Sequence, residues 1–186
     1  MRYRSLGKVL SAVLLASGIL WGAVKTANAG SKMVSYKHKT EGFSLSVPGN
    51  WEIREDMKYE LFNIPMLALR PLEGENDDFR ENINVVDEKI SPSLGVEGYL
   101  KANLKNLPSQ LKSYELVKTG DLKARSNAKY MIYTHRLDGI TGKLKVISFL
   151  FTRKEKAFVL TCTANEKSFD HYLGLFMKIG MSFKPA

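Results

Sequence analysis

Residues 128–163 read AKYMIYTHRLDGITGKLKVISFLFTRKEKAFVLTCT, three strand-like runs cut by turn signals at Asp138-Gly139 and at Lys154-Glu155. Runs of this length and composition, joined by such turns, make an antiparallel meander. The middle run decides the layering. Ile147, Phe149 and Phe151 alternate onto one face, and Val146 and Leu150 onto the other. A strand that is apolar on both faces is covered on both, so the sheet is expected between two layers.

Two amphipathic helices can supply those layers. Ser91-Pro92-Ser93 has the form of a helix start, serine as cap and proline in the first turn. Val96, Leu100, Leu104, Leu107 and Leu111 then follow at helical spacing, with Lys101, Lys105 and Lys112 opposite and Pro108 expected to kink or end the helix. The second helix is expected after Thr163-Ala164-Asn165-Glu166, which matches a capping box, with Phe169, Leu173, Phe176 and Ile179 or Gly180 on one side. The fold expected is α+β: a three-layer α/β/α sandwich around a central, mainly antiparallel sheet. Between the first helix and the meander, Tyr114–Val117 reads as a short strand and Gly120–Arg125 as a solvated connection.

Upstream, Met33–His38 and Gly42–Val47 read as a hairpin, and Phe43, Leu45 and Val47 alternate with Ser44 and Ser46. Pro48-Gly49 suits a type II turn. Trp51 follows it, expected to pack beneath the turn or, alternatively, to stand exposed as an aromatic docking residue. Short strands are expected at Trp51–Arg54, Met66–Arg70 and Asn82–Asp87, while Met57–Pro65 fits loop or helical turn equally. Leu72–Phe79 reads as a polar loop.

Residues 1–29 read as a leader to be cleaved. Arg2, Arg4 and Lys8 precede an apolar stretch from Val9 to Val24, and Ala27-Asn28-Ala29 fits a cleavage site before Gly30. The expectation is export to the periplasm or another extracytoplasmic space, leaving residues 30–186 as one domain. Arg2, Arg4, Lys8 and Lys25 would leave with the leader, taking the formal charge from +9 to +5. Cys162 is the lone cysteine, so no intramolecular disulfide can form; it shares a strand face with Phe158 and Leu160 and reads as a buried apolar residue.

The run Glu41-Gly42-Phe43-Ser44-Leu45-Ser46-Val47-Pro48-Gly49-Asn50-Trp51 resembles the opening of PsbP-like proteins, whose hairpin strand ends in a P-x-x-W turn. The strand and helix from Phe158 to Phe183 are similar to the close of the same superfamily, which groups PsbP with the Mog1 and DcrB proteins. The resemblance covers nearly all of residues 30–186 as a pattern. It implies an antiparallel sheet between helices and a non-enzymatic accessory or binding role in the bacterial envelope.

No nucleophile elbow, zincin helix, paired-cysteine motif or phosphate loop occurs, and no zinc-finger or basic-zipper pattern points to nucleic acid. His38, His135 and His171 lie too far apart to share a local metal site; His135 is expected to be satisfied or solvent-facing, and His171 to pair with Asp170 on the surface. Glu73, Glu75, Asp77 and Asp78 form a weak candidate calcium loop, set against the ordinary reading of a solvated charge run; no other cofactor is implied. Lys143, Lys145, Arg153, Lys154 and Lys156 are a candidate basic docking face, for an envelope protein or an anionic membrane surface; as edge and turn lysines they would equally block strand aggregation. A small-ligand carrier, or an enzyme with an unrecognised pocket between sheet and helix, is the competing reading.

Overall fold

The computed structural model describes residues 31–58, 63–74, 77, 79–123 and 125–186. Its strands are Met33–Lys37 (β1), Phe43–Pro48 (β2), Glu52–Lys58 (β3), Asn63–Leu69 (β4), Asn82–Lys89 (β5), Lys112–Asp121 (β6), Ala128–Arg136 (β7), Leu144–Arg153 (β8), Lys156–Asn165 (β9) and Lys184–Pro185 (β10). Helix α1 spans Val96–Gln110 and helix α2 Phe169–Ser182. Seven strands form an antiparallel sheet in the order β3-β4-β5-β9-β8-β7-β6, and β1-β2-β10 form a second, small sheet. Among the described residues no helix is long and apolar enough to cross a membrane.

The two faces of β8 divide the core. Ile147, Phe149 and Phe151 lie in one continuous cluster with Phe176 and Ile179 of α2 and with Phe43, Leu45 and Val47 of the small sheet. Phe183, just after α2, stacks on Phe151 at 4.5 Å and on Phe43 at 5.6 Å, which joins helix, small sheet and large sheet. Val146 and Leu150 pack on the opposite face with Tyr99, Leu100 and Leu107 of α1. The architecture is therefore α+β in three layers, with the small sheet sharing the α2 layer. Trp51 belongs to the α2-side core at 8% exposure, so it packs beneath its turn and is not presented for docking.

Several local expectations yield to tertiary pairing. The Pro48 turn closes from Trp51 N–H to Pro48 C=O at 3.1 Å, so Pro48 is its first residue rather than a central one, and Gly49 keeps an ordinary φ. What Gly49 supplies is closeness, since a Cβ there would sit 3.0 Å from Val34 Cγ1 and 3.1 Å from the Lys32 carbonyl. Helix α1 starts later than Ser91, with Gly95 as its N-cap; Ser91 instead accepts a turn bond from Leu94 N–H. Pro108 falls in the last turn, and the helix continues only to Gln110.

The capping box does not form. Pairing of β9 with β8 continues to Asn165 against Leu144, so Thr163 and Asn165 are strand residues and α2 begins at Phe169. Tyr114–Val117 and Gly120–Arg125 are not separate pieces either. Lys112–Asp121 is one edge strand, and register shifts after Lys112 and after Leu116 break the alternation that would have revealed it. In the ambiguous stretch, Met57 and Lys58 end β3 and Asn63–Pro65 begin β4; residues 59–62 lie outside the described part, as do residues 1–30 with the expected leader.

Candidate functional site

The acidic loop is organised by a cation that the sequence reading left out. Arg70 directly follows β4 and is 5% exposed. Its guanidinium donates to the Glu81 carboxylate, to Asp77 Oδ2 at 2.8 Å and to the Pro71 carbonyl at 2.9 Å, and Glu73 Oε1 lies 3.1 Å away. Glu81 is itself buried, and its other oxygen accepts from the Ser168 hydroxyl at 2.9 Å, which ties the loop to the start of α2. Burial pulls the Arg70 pKa down; the Glu81 bond and the charges of Glu81 and Asp77 outweigh it and leave the group raised. Beside this cluster Tyr172 is pushed up to about 12, first by burial and then by the charge of Glu81.

Two of the four candidate calcium residues, Glu73 and Asp77, therefore face Arg70 rather than one another, and a cation would have to displace that guanidinium. Glu75 and Asp78 lie outside the described residues. Among the described residues no group of three or more His, Cys, Asp or Glu side chains converges as metal ligands do.

The five cations expected on one docking face fall at opposite ends of β8, a strand about 30 Å long at about 3.3 Å per residue. Lys143 bonds Glu115 at 2.8 Å, and that bond holds the Glu115 carboxyl below the usual range. Lys145 reaches Asp170 at 3.2 Å and lies over the Phe169 ring at 4.8 Å, so Asp170 serves this lysine and not His171. Both lysines at this end are matched by carboxylates.

The other end, at the β8–β9 turn, is different. Lys156 is held by Glu41 at 2.9 Å and by Asp87 at 2.8 Å, which engages both of those acids. Lys154 stands at the tip of the two-residue turn with φ of 54°, beside Glu155, and has no ion-pair partner among the described residues. Arg153 donates to the Pro185 carbonyl, while Arg125 donates to Phe183 and Met181 carbonyls and so binds the last turn of α2. Pairing of β2 with both neighbours puts Lys37 and Lys184 on either side of Ser44, two strand spacings or about 10 Å apart. Neither has an ion-pair partner among the described residues.

Lys37, Arg125, Arg153, Lys154 and Lys184 thus share one end of the sandwich with Met181, which is 56% exposed. Sequence reasoning missed Lys37, Lys184 and Met181 because Lys37 comes from the opposite end of the chain to the other two and no local pattern links it to them. Only the register of β1, β2 and β10 does.

Beneath α1 the sheet carries buried polar residues. Tyr133, Ser148 and Thr161 bond through their hydroxyls at 3.3 and 3.4 Å. His135 is fully buried, so of the two expected alternatives the solvent-facing ring is excluded and the satisfied ring is met at one nitrogen only. Its Nδ1 bonds the Arg136 carbonyl at 3.1 Å, but among the described residues Nε2 has no partner, and neither has Thr163 Oγ1. A cavity of about 10 Å³, lined by Val86, Asp87, Glu88, Tyr99 and Val159, lies farther along the same face. Here burial raises the Glu88 carboxyl, whose Oε1 accepts from Tyr99.

No family model matches the chain, and no curated protein matches it. Solved structures do. The chain is similar to cyanobacterial PsbP from Synechocystis at TM-score 0.58 and 18% identity, covering 87% of this chain and 98% of that one. It is similar to the Ran-binding protein Mog1p of Saccharomyces cerevisiae at TM-score 0.57 and 8% identity, covering 84% and 96%. LpqN of Mycobacterium tuberculosis, described as involved in cell envelope biogenesis, aligns at TM-score 0.54 and 12% identity over 82% and 90%. The fold is PsbP/Mog1-like.

Proposed function

We propose that this chain is a non-enzymatic accessory protein of the bacterial envelope that binds an anionic partner through the cationic end at the β8–β9 turn. One observation carries the reading: Lys37, Lys154 and Lys184 at that end have no ion-pair partners among the described residues, while Lys143 and Lys145 at the far end are matched by carboxylates. Unmatched surface charge contributes little to folding and acts on encounter and orientation with a partner. Among proteins that share the fold, one is named for binding Ran and another for a part in cell envelope biogenesis, names that suit a module working by contact. The leader-like pattern of residues 1–29 supports an extracytoplasmic compartment for this reading.

The test is affinity capture from envelope extracts, membranes included, with the wild type and with Lys37→Glu/Lys154→Glu/Lys184→Glu over a series of salt concentrations. Capture should weaken as salt rises and fall at least tenfold in the variant. Capture that responds to neither removes the reading.

The small-ligand reading has one observation in its favour, the unpartnered Thr163 Oγ1 and His135 Nε2 beneath α1. It requires that Thr163→Val abolish the binding of a ligand retained by the purified protein, whereas the charge variant leaves that binding intact.

A further inference from the structure

Resting on that reading, we infer that the partner at the cationic end is an anionic phospholipid bilayer, with Met181 entering the headgroup boundary. Three features favour a bilayer over an acidic protein. The first is shape. Lys37 and Lys184 pair with Ser44 from either side and, with Phe43 and Leu45 turned to the core, stand on the outer face of the small sheet; Arg153, beside the Lys154 turn tip, reaches Pro185, and Met181 lies in the last turn of α2. The outer face of a sheet is met broadside, which suits a flat, laterally averaged charge.

The second is the kind of cation left free. Arginine recognises a protein carboxylate through its two-pronged fork, but here the guanidinium groups of Arg125 and Arg153 donate to the main-chain carbonyls of residues 181, 183 and 185. Both guanidinium groups keep their charge but are tethered to the main chain, and the cations with free heads are lysines, hydrated point charges on flexible stems that respond to a diffuse surface potential. Each lysine held at an anionic membrane surface raises partitioning about fivefold. The third feature is Met181, a flexible apolar side chain 56% exposed, three residues after the exposed Lys178 and three before Lys184. An apolar residue flanked by lysines is the arrangement of an interfacial segment, with the apolar part at the acyl boundary and the cations at the headgroups.

The test is co-sedimentation of the full chain with vesicles of phosphatidylcholine alone and of phosphatidylcholine mixed with phosphatidylglycerol. Comparison with Lys37→Gln/Lys154→Gln/Lys184→Gln removes any contribution of residues 1–29, which both proteins share. The wild type should prefer the phosphatidylglycerol vesicles, and the variant should lose at least tenfold of that preference. Equal binding of the wild type to both vesicle types, or a smaller loss in the variant, overturns the inference. Charge-dependent capture of a soluble acidic protein, without a vesicle preference, leaves the proposed function standing and removes the bilayer as its partner.

Discussion

A histidine with no exposed surface is tolerated when neutral, and His135 is placed so that charging it is costly. Burial pushes its pKa below the ordinary 6.5, against a smaller opposing effect from the bond to the Arg136 carbonyl. A depressed folded-state pKa means that the unfolded chain takes up the proton first. Its contribution to stability is therefore whole above pH 6.5 and is lost as pH falls from there through the folded-state value. In denaturant titrations at steps from pH 7.5 to 5, His135→Leu should lose less stability across the interval than the wild type. Parallel curves for the two would contradict the assignment. Cys162 gives a second check at this scale: fully buried, its thiol is pushed well up by burial. A maleimide should label it only after denaturation, and rapid labelling of the native protein would put it outside the core. Residues of this kind were legible where alternation could be followed. Phe158, Leu160 and Cys162 read correctly onto one face, and Met131, Tyr133 and His135 share a face by the same rule. For His135 that alternation favoured the buried alternative over the solvent-facing one. Arg70 carried no such signal, since its partners Asp77 and Glu81 are assembled by a loop that has no periodicity.

At the scale of elements, local signals competed with sheet pairing and lost. Thr163-Ala164-Asn165-Glu166 has the chemistry of a cap, but ladder bonds from β8 hold the chain extended to Asn165, and Ser168 becomes the N-cap. The meander and both helix stripes were legible because each buries a face with a regular period; β6 was not, because its bulges break that period. Helix α2 approaches the sheet closely at one glycine. A Cβ on Gly180 would lie 2.5 Å from Cε1 and Cζ of Phe149, a ring with no room to move in the core. Gly180→Ala should therefore destabilise by about 1–3 kcal/mol, overriding the gain of about 1 kcal/mol from helix propensity. Gly174→Ala, with nothing within 4 Å of its Cβ, should instead be neutral or gain up to about 1 kcal/mol. Equal effects in thermal unfolding would show that α2 does not meet Phe149 there. The β8–β9 turn makes a complementary point. Lys154 holds a φ of 54° that glycine adopts freely, so Lys154→Gly should stabilise by about 1 kcal/mol. The same substitution should weaken binding, because it removes one of the unmatched cations.

For the whole molecule, the layering was readable from one strand and the proposed docking surface was not. The apolar stripes of β8, α1 and α2 each report a burial direction, and three such directions define a sandwich. A charged surface has no period, and its members are gathered by chain reversal. Lys143 and Lys145 sit next to Lys154 and Lys156 in sequence yet at the far end of a ten-residue strand, while Lys37 and Lys184 are brought about 10 Å apart by β2. Under the proposed function, position and not net charge makes one end of the molecule the binding end. The most direct measurement compares two variants with the same change in charge, Lys154→Gln/Lys184→Gln at the turn end and Lys143→Gln/Lys145→Gln at the far end, in capture from envelope extracts at fixed ionic strength. The turn-end pair should weaken capture at least fivefold, while the far-end pair leaves it within twofold of the wild type, consistent with a partner that meets only unmatched cations. Equal weakening by the two pairs, or a larger loss from the far-end pair, would contradict the account.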